Sequence, residues 1–390
     1  MPSKKAIKNK DEKACLCALG KIFGFEPKTA NAMIEHIGSA RKIFELGKDE
    51  LDEILGPFSR HKGEIRPEAV EKAYEELDRL EDIGIRYCGI TEEEYPALLK
   101  ECPDPPTGIY IRSDTPDREL WKPARSIAIV GTRNVTPYGR EWCEKIISAI
   151  ADSGAGPMII RGLALGTDIT AHKKALETGL PTIAVMATGP ENIYPYRNEG
   201  IPKKMAATPG CALVTDYPPG TAPLAIHFLR RNRIIAGLSD ALILVESKIK
   251  GGGMMTSRLA FSYDRDVYAL PGRVDDICSQ GCNMLIRTKM AEPIVSVEAL
   301  NDSLRLNSCG NQRKASHADI LYGIYGNSHS SETLDLLLHI TNLIGKERGI
   351  TLDEMTFRTG LDYASVSNLT GLLESDGLSV TDTALASGFS

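Results

Sequence analysis

Arg230, Arg231, Asn232 and Arg233 follow one another in the stretch HFLRRNRIIAGLSDALILVE, just ahead of an apolar run that leads into a buried strand. Read as the opening of a helix, these guanidiniums oppose the positive end of the helix dipole, and an anion lying there would offset the cost. The alternative is a solvated helix start. Phe228, two residues ahead of Arg230, is either a ring on which a planar group stacks or a core residue.

Three further segments carry the same chemistry. VGTRNVTPYG supplies Gly131, Thr132 and Arg133; RGLALGTD supplies Arg161 and Gly162; KIKGGGMMTS supplies Lys250 and Gly252. Each lies between a strand-like run and a helix-like run. Helix N-termini present free N–H groups to phosphate, and glycine lets a backbone approach closely. The alternative is that these glycines only permit tight turns. Asp168 and His172 stand four apart, as an acid–base or metal pair would, or as a first-turn aspartate with an unrelated neighbour.

Other chemistries find no motif. There is no G-x-G-x-x-G and no G-x-x-x-x-G-K-[ST], so no nucleotide cofactor is expected. There is no G-x-S-x-G and no H-E-x-x-H, and no catalytic residue is assigned. Cys278 and Cys282 lack a second ligand pair for zinc, and no metal is expected. Nine scattered cysteines suit reduced thiols.

The elements that must position these loops are legible as alternation. SIAIVG, PMIIRG, PTIAVMATG, CALVTDYPPG, ALILVES and DVYALPG read as strands, separated by helical segments. Continuous apolar strands alternating with helices predict a parallel sheet covered on both faces, a doubly wound Rossmann-like α/β domain over 89–300. All four segments then fall at the carboxyl edge of the sheet, where such folds bind ligands. Residues 1–88 read as short helices ending at glycines, a helix-hairpin-helix or sterile-alpha-motif-like domain. Residues 301–330 read as a linker. Residues 331–390 read as helix, turn, helix and a short wing, a winged-helix pattern. Its recognition helix, ASVSNLTGLLE, has no Lys or Arg, which favours a protein contact over DNA.

The net charge of -6 is unevenly spread. Residues 121–300 hold 21 Lys and Arg against 16 Asp and Glu, while residues 1–120 hold 19 against 25. A polyanion partner is therefore expected at the middle segment. No signal peptide and no transmembrane run is read, so the expected location is the cytoplasm.

The segments IAIVGTRNVTPYG, RGLALGTDITAH, DYPPGTAP, HFLRRNRIIAGLSDALILVE and QGCNMLI, in this order, closely resemble the bacterial DNA processing protein A family (DprA/Smf). The resemblance implies a homodimeric, non-enzymatic protein that binds single-stranded DNA, protects incoming strands in natural transformation and loads the RecA recombinase onto them. It implies strand contacts at Gly131, Thr132 and Arg133, at Phe228, Arg231, Asn232 and Arg233, and at Lys250 and Gly252. Arg161 stands where the family usually has Ser, and Leu165 where it often has Arg. Leu229 stands where it usually has Pro. A related fold serves nucleotide phosphoribohydrolases of the LOG type, but KGGGMMTSRLA lacks their catalytic acid. A non-DNA-binding adaptor is the third reading.

Overall fold

The structure, a computed structural model, describes residues 4–195, 200–306, 321, 324–326, 329–346 and 350–375. It divides into two compact units, Met1–Cys309 and Gly310–Ser390. The first opens with helices α1 (Lys4–Ile22), α2 (Pro27–Ile37), α3 (Ala40–Ile43), α4 (Lys48–Leu55) and α5 (Pro67–Asp82). Glycine closes α2, where Gly38 takes φ 79° and returns its N–H to Ile34.

The expected strands appear at β3 (Ser126–Val130), β4 (Met158–Arg161), β5 (Thr182–Val185), β6 (Ala212–Thr215), β7 (Ala241–Leu244) and β8 (Asp266–Ala269). All but the last are buried along their whole length, as the apolar runs require. The sheet has nine strands because three more join its edges. β2 (Gly108–Arg112) pairs antiparallel with β6, β1 (Ile85–Gly89) pairs antiparallel with β2, and the short β9 (Glu292–Pro293) pairs parallel with β8. The order β1-β2-β6-β5-β4-β3-β7-β8-β9 has one reversal that concerns the site. The chain steps outward from β3 to β6, then returns to lay β7 on the other side of β3.

The connecting helices are α6 (Ala97–Lys100), α7 (Asp117–Leu120), α8 (Pro137–Asp152), α9 (Thr167–Glu177), α10 (Gly200–Ala206), α11 (Ala225–Gly237), α12 (Gly252–Ser262), α13 (Gln280–Arg287) and α14 (Val297–Ser303). One core joins α1, α2 and α5 to β1, β2, α11 and α12 across one sheet face. A second core joins α8, α9 and α14 to the opposite face. The helical segment therefore shares its core with the sheet, and Ile85–Gly89 is strand where residues up to 88 were read as helical.

The second unit holds α15 (Ser331–Lys346), α16 (Leu352–Thr359) and α17 (Tyr363–Ser375). Leu337, Ile340, Met355, Val366 and Leu373 form its core. Thr351 and Glu354 make a reciprocal capping box at the start of α16, and Gly360 ends it at φ 71°. The expected wing, after residue 375, lies outside the described residues, as does most of the expected 301–330 linker. The linker's first residues belong to α14.

Leu16 is fully buried in the shared core. Leu16→Ala should cost about 2–5 kcal/mol and lower the chemical-unfolding midpoint of helical and sheet probes together. Early, separate melting of the helical signal would contradict a shared core.

Candidate functional site

The reversal of strand order separates the loops leaving β3 and β7. The crevice this opens at the carboxyl edge is the usual ligand position of such sheets. It holds a cavity of about 440 Å³. Ten of the twelve residues singled out from the sequence line it: Gly131, Thr132, Arg133, Arg161, Gly162, Phe228, Arg231, Asn232, Lys250 and Gly252. Arg230 and Arg233 do not. Lys248 and Asp168 also line it.

The position of the arginine cluster corrects the sequence reading. Residues 230–233 lie in the middle of α11, which begins at Ala225, and do not open a helix. The dipole argument therefore does not apply to them. Each side chain instead has its own environment. Arg230 stacks over Phe25, 3.7 Å from the ring centroid, and donates to the Gly24 carbonyl at 3.5 Å. Arg233 is buried, donating to the Asp216 carboxylate and the Asp104 carbonyl. It ties α11 to the end of β6 and to the loop before β2, and offers nothing to a phosphate in the cavity.

Arg231 is buried beneath the cavity and donates to the carbonyl of Val185 at the end of β5. Its guanidinium lies where a Cβ on residue 162 would be, which is why Gly162 carries none. Burial pushes its pKa down to about 10, with the Asp168 carboxylate opposing the shift, so it stays charged at neutral pH. Arg161 is buried as well, and its Nη1 has no hydrogen-bond partner. Only 2% exposed, it is paired with Asp168. Among the buried residues that line the cavity, two guanidiniums thus stand against one carboxylate, which bonds to Arg161 and acts on Arg231 through its field, an excess of positive charge.

Asp168 and His172 do not form an acid–base pair. Asp168 accepts from Arg161 and from the Ala164 N–H at 3.3 Å. His172 is fully buried, 2.7 Å from the Gly162 carbonyl through Nε2 and 2.8 Å from the Thr182 hydroxyl through Nδ1. Burial pushes its pKa down to about 4. The neutral ring therefore donates Nε2–H to the Gly162 carbonyl, faces the Thr182 hydroxyl with Nδ1, and holds the β4 loop in place.

The rim is built from loops that brace each other. The backbone N–H of Thr167 donates to the Thr132 carbonyl at 3.2 Å, and its hydroxyl donates to the same oxygen at 3.0 Å. Gly166, at φ 78°, sits so close to the Thr132 and Arg133 carbonyls that a Cβ has no room. Glu246, fully buried after β7, was not singled out from the sequence. It accepts from the Thr136 N–H at 3.0 Å and from the Thr136 hydroxyl. Thr136 in turn caps α8 by accepting from the Gly139 N–H. Its only sequence signal is an acid closing the apolar run ALILVE. Arg133 and Lys250 remain exposed on this braced rim. The Arg133 guanidinium lies 5.2 Å from the centroid of the Phe228 ring, which meets Tyr194 edge-on at 5.9 Å.

Two outcomes follow. Because the folded pKa of His172 lies below the ordinary 6.5, the unfolded chain binds the extra proton first as pH falls. The contribution of His172 is full above about pH 6.5 and is lost as pH drops towards 4, roughly 3 kcal/mol in all. Urea unfolding across this window should lose that component in His172→Gln; an unchanged pH profile would refute the assignment. Separately, Arg161→Met strands a buried carboxylate and should cost about 3–5 kcal/mol. Adding Asp168→Asn should recover most of it. A double variant as unstable as the single would rule out the pairing.

Comparison with known proteins places this geometry. Residues 86–305 match the family model described as DNA recombination-mediator protein A. The DNA processing protein DprA of Bacillus subtilis is 35% identical over 239 residues, 60% of this chain and 78% of that one. Its Streptococcus pneumoniae counterpart is 32% identical over 251 residues, 63% and 86%. Protein Smf of Synechocystis is 38% identical over 213 residues, and the match spans about half of that relative's length, 52%. The X-ray structure of the pneumococcal DprA superposes with TM-score 0.57 at 27% identity, covering 77% of this chain and 98% of that one. A Helicobacter pylori DNA processing protein A, solved for its single-stranded DNA binding mode, superposes with TM-score 0.50 at 30% identity, covering 56% and 95%. With the family model spanning more than half its length and its sheet superposing on solved members, the chain belongs to the DNA recombination-mediator protein A (DprA/Smf) family.

Proposed function

We propose that this chain binds single-stranded DNA across the crevice between β3 and β7, in the service of DNA processing and recombination. The observation that carries the reading is the net positive charge buried under the cavity, with Arg133 and Lys250 exposed above it. Buried charge without a full complement is costly, and a phosphate chain lying over the floor offsets that cost. Membership of a recombination-mediator family supports the same reading, as does the binding mode for which the Helicobacter pylori relative was solved.

In this reading Arg133 and Lys250 hold phosphates, and the Gly131–Thr132 and Gly252 backbones approach them. Phe228 exchanges its cation–π contact with Arg133 for a base. Asn232 lines the same wall. Arg231 and Arg161 act from beneath, through their field. In this reading the protein works by binding, and Asp168, the one carboxylate among the cavity-lining residues, is engaged by Arg161. Delivery of the strand to the RecA recombinase, action as a homodimer through the sheet domain, and a cytoplasmic location complete the proposal. Among the described residues no helix is long and apolar enough to cross a membrane.

Fluorescence anisotropy with labelled oligothymidine and a matching duplex, at several salt concentrations, tests the reading. Preference for the single strand is expected, with log affinity falling by about 0.7 per phosphate contact per unit of log salt. Arg133→Ala should weaken all sequences alike and flatten the slope by about one such contact. Equal binding of duplex, or a slope unmoved by Arg133→Ala, would overturn it.

A further inference from the structure

We propose that a second cavity, beside the first turns of α11, takes a base of the same single strand; this rests on the proposed DNA reading. The cavity measures about 310 Å³ and lies where the α1–α2 turn meets the loop between β6 and α11. That volume is at the low end for small-ligand sites, about 300–1,000 Å³, and suits one planar heterocycle.

Its walls are aromatic. Phe23 and His61 lie 4.6 Å apart between centroids, Tyr217 and His227 lie 4.6 Å apart, and Phe25 stacks at 6.2 Å from His227. Every nucleobase presents a π-face to such a wall, whatever its sequence. Phe25 is 53% exposed although the helical segment around it is well packed, and the Arg230 guanidinium lies over its ring. A half-exposed aromatic under a cation, at the mouth of an aromatic-lined cavity, pairs a stacking surface with a phosphate partner.

Continuity with the first cavity selects the occupant. His227 lines the aromatic cavity, while its neighbour Phe228, together with Arg231, lines the charged one. The two cavities thus flank the same turn of α11, and a strand crossing that turn has phosphates on one side and a base to place on the other. Arg230 lines neither cavity, but its place over the Phe25 ring gives it a phosphate of the same strand as a ligand.

The test uses the full chain with oligothymidines carrying 2-aminopurine at single successive positions, since stacking quenches this base. One position should be quenched on binding in wild type and in Phe228→Leu, and should lose its quench in Phe25→Leu. The affinity of Phe25→Leu should fall about tenfold, with its salt slope unchanged because no phosphate contact is removed. Arg230→Gln should instead flatten the slope. Thermal melting of the free variants separates binding from packing. A normal melt with lost quench supports the site, whereas a lowered melt with quench intact makes Phe25 a packing residue and overturns it. If oligothymidine binds with a slope that depends on Arg133 yet Phe25→Leu changes neither quench nor affinity, only this inference fails. If oligothymidine does not bind at all, the DNA reading fails first.

Discussion

Arg231, buried with Arg161 around the single carboxylate of Asp168, is the constraint on which the rest of the site depends. A guanidinium taken out of water must find acceptors in fixed directions. Here the Val185 carbonyl is one, the carboxylate engaged by Arg161 acts only through its field, and Nε has no partner. To reach that carbonyl the side chain passes under residue 162, which must be glycine. The β4 loop is then held by His172 from below and by the Arg161–Asp168 pair from beside. The charge fixes the loop, and the loop fixes the floor of the cavity.

Above the floor the division of labour follows from dielectric. Exposed charges such as Arg133 and Lys250 act at short range and are screened by salt. The buried charges are screened much less. Glu246 keeps the two kinds of charge in register, because it fastens the β3 loop to the exit of β7 through Thr136. A rim so braced holds its cations in place, as the proposed strand binding needs.

The sheet was legible where physics made it redundant. Ile127–Val130 and Ala241–Leu244 are buried on both faces, so their composition alone marks them. Topology then put the four loops on one edge, and ten of the twelve chosen residues meet around one cavity. What was hidden depended on partners far away in sequence. IRYCG becomes a strand only because GIYIR offers an edge. α11 starts at Ala225 and not at the arginines, because its start follows the Pro-rich loop before it and not the run of charge. Whether an arginine on that helix faces Asp216, Val185 or Phe25 depends on neighbours that no local pattern names. Arg161 likewise pairs with Asp168 only once a strand, a turn and a helix are folded together.

The central claim is that net buried charge under the crevice, and not the mere presence of arginines, draws the strand. The most direct measurement compares oligothymidine affinity in two variants at fixed salt. Arg231→Met removes the unbalanced charge, while Arg161→Met with Asp168→Asn removes one cation and one anion and leaves the balance as it was. The account predicts a marked loss of affinity in the first and little change in the second. Equal losses in both, or none in the first, would contradict it.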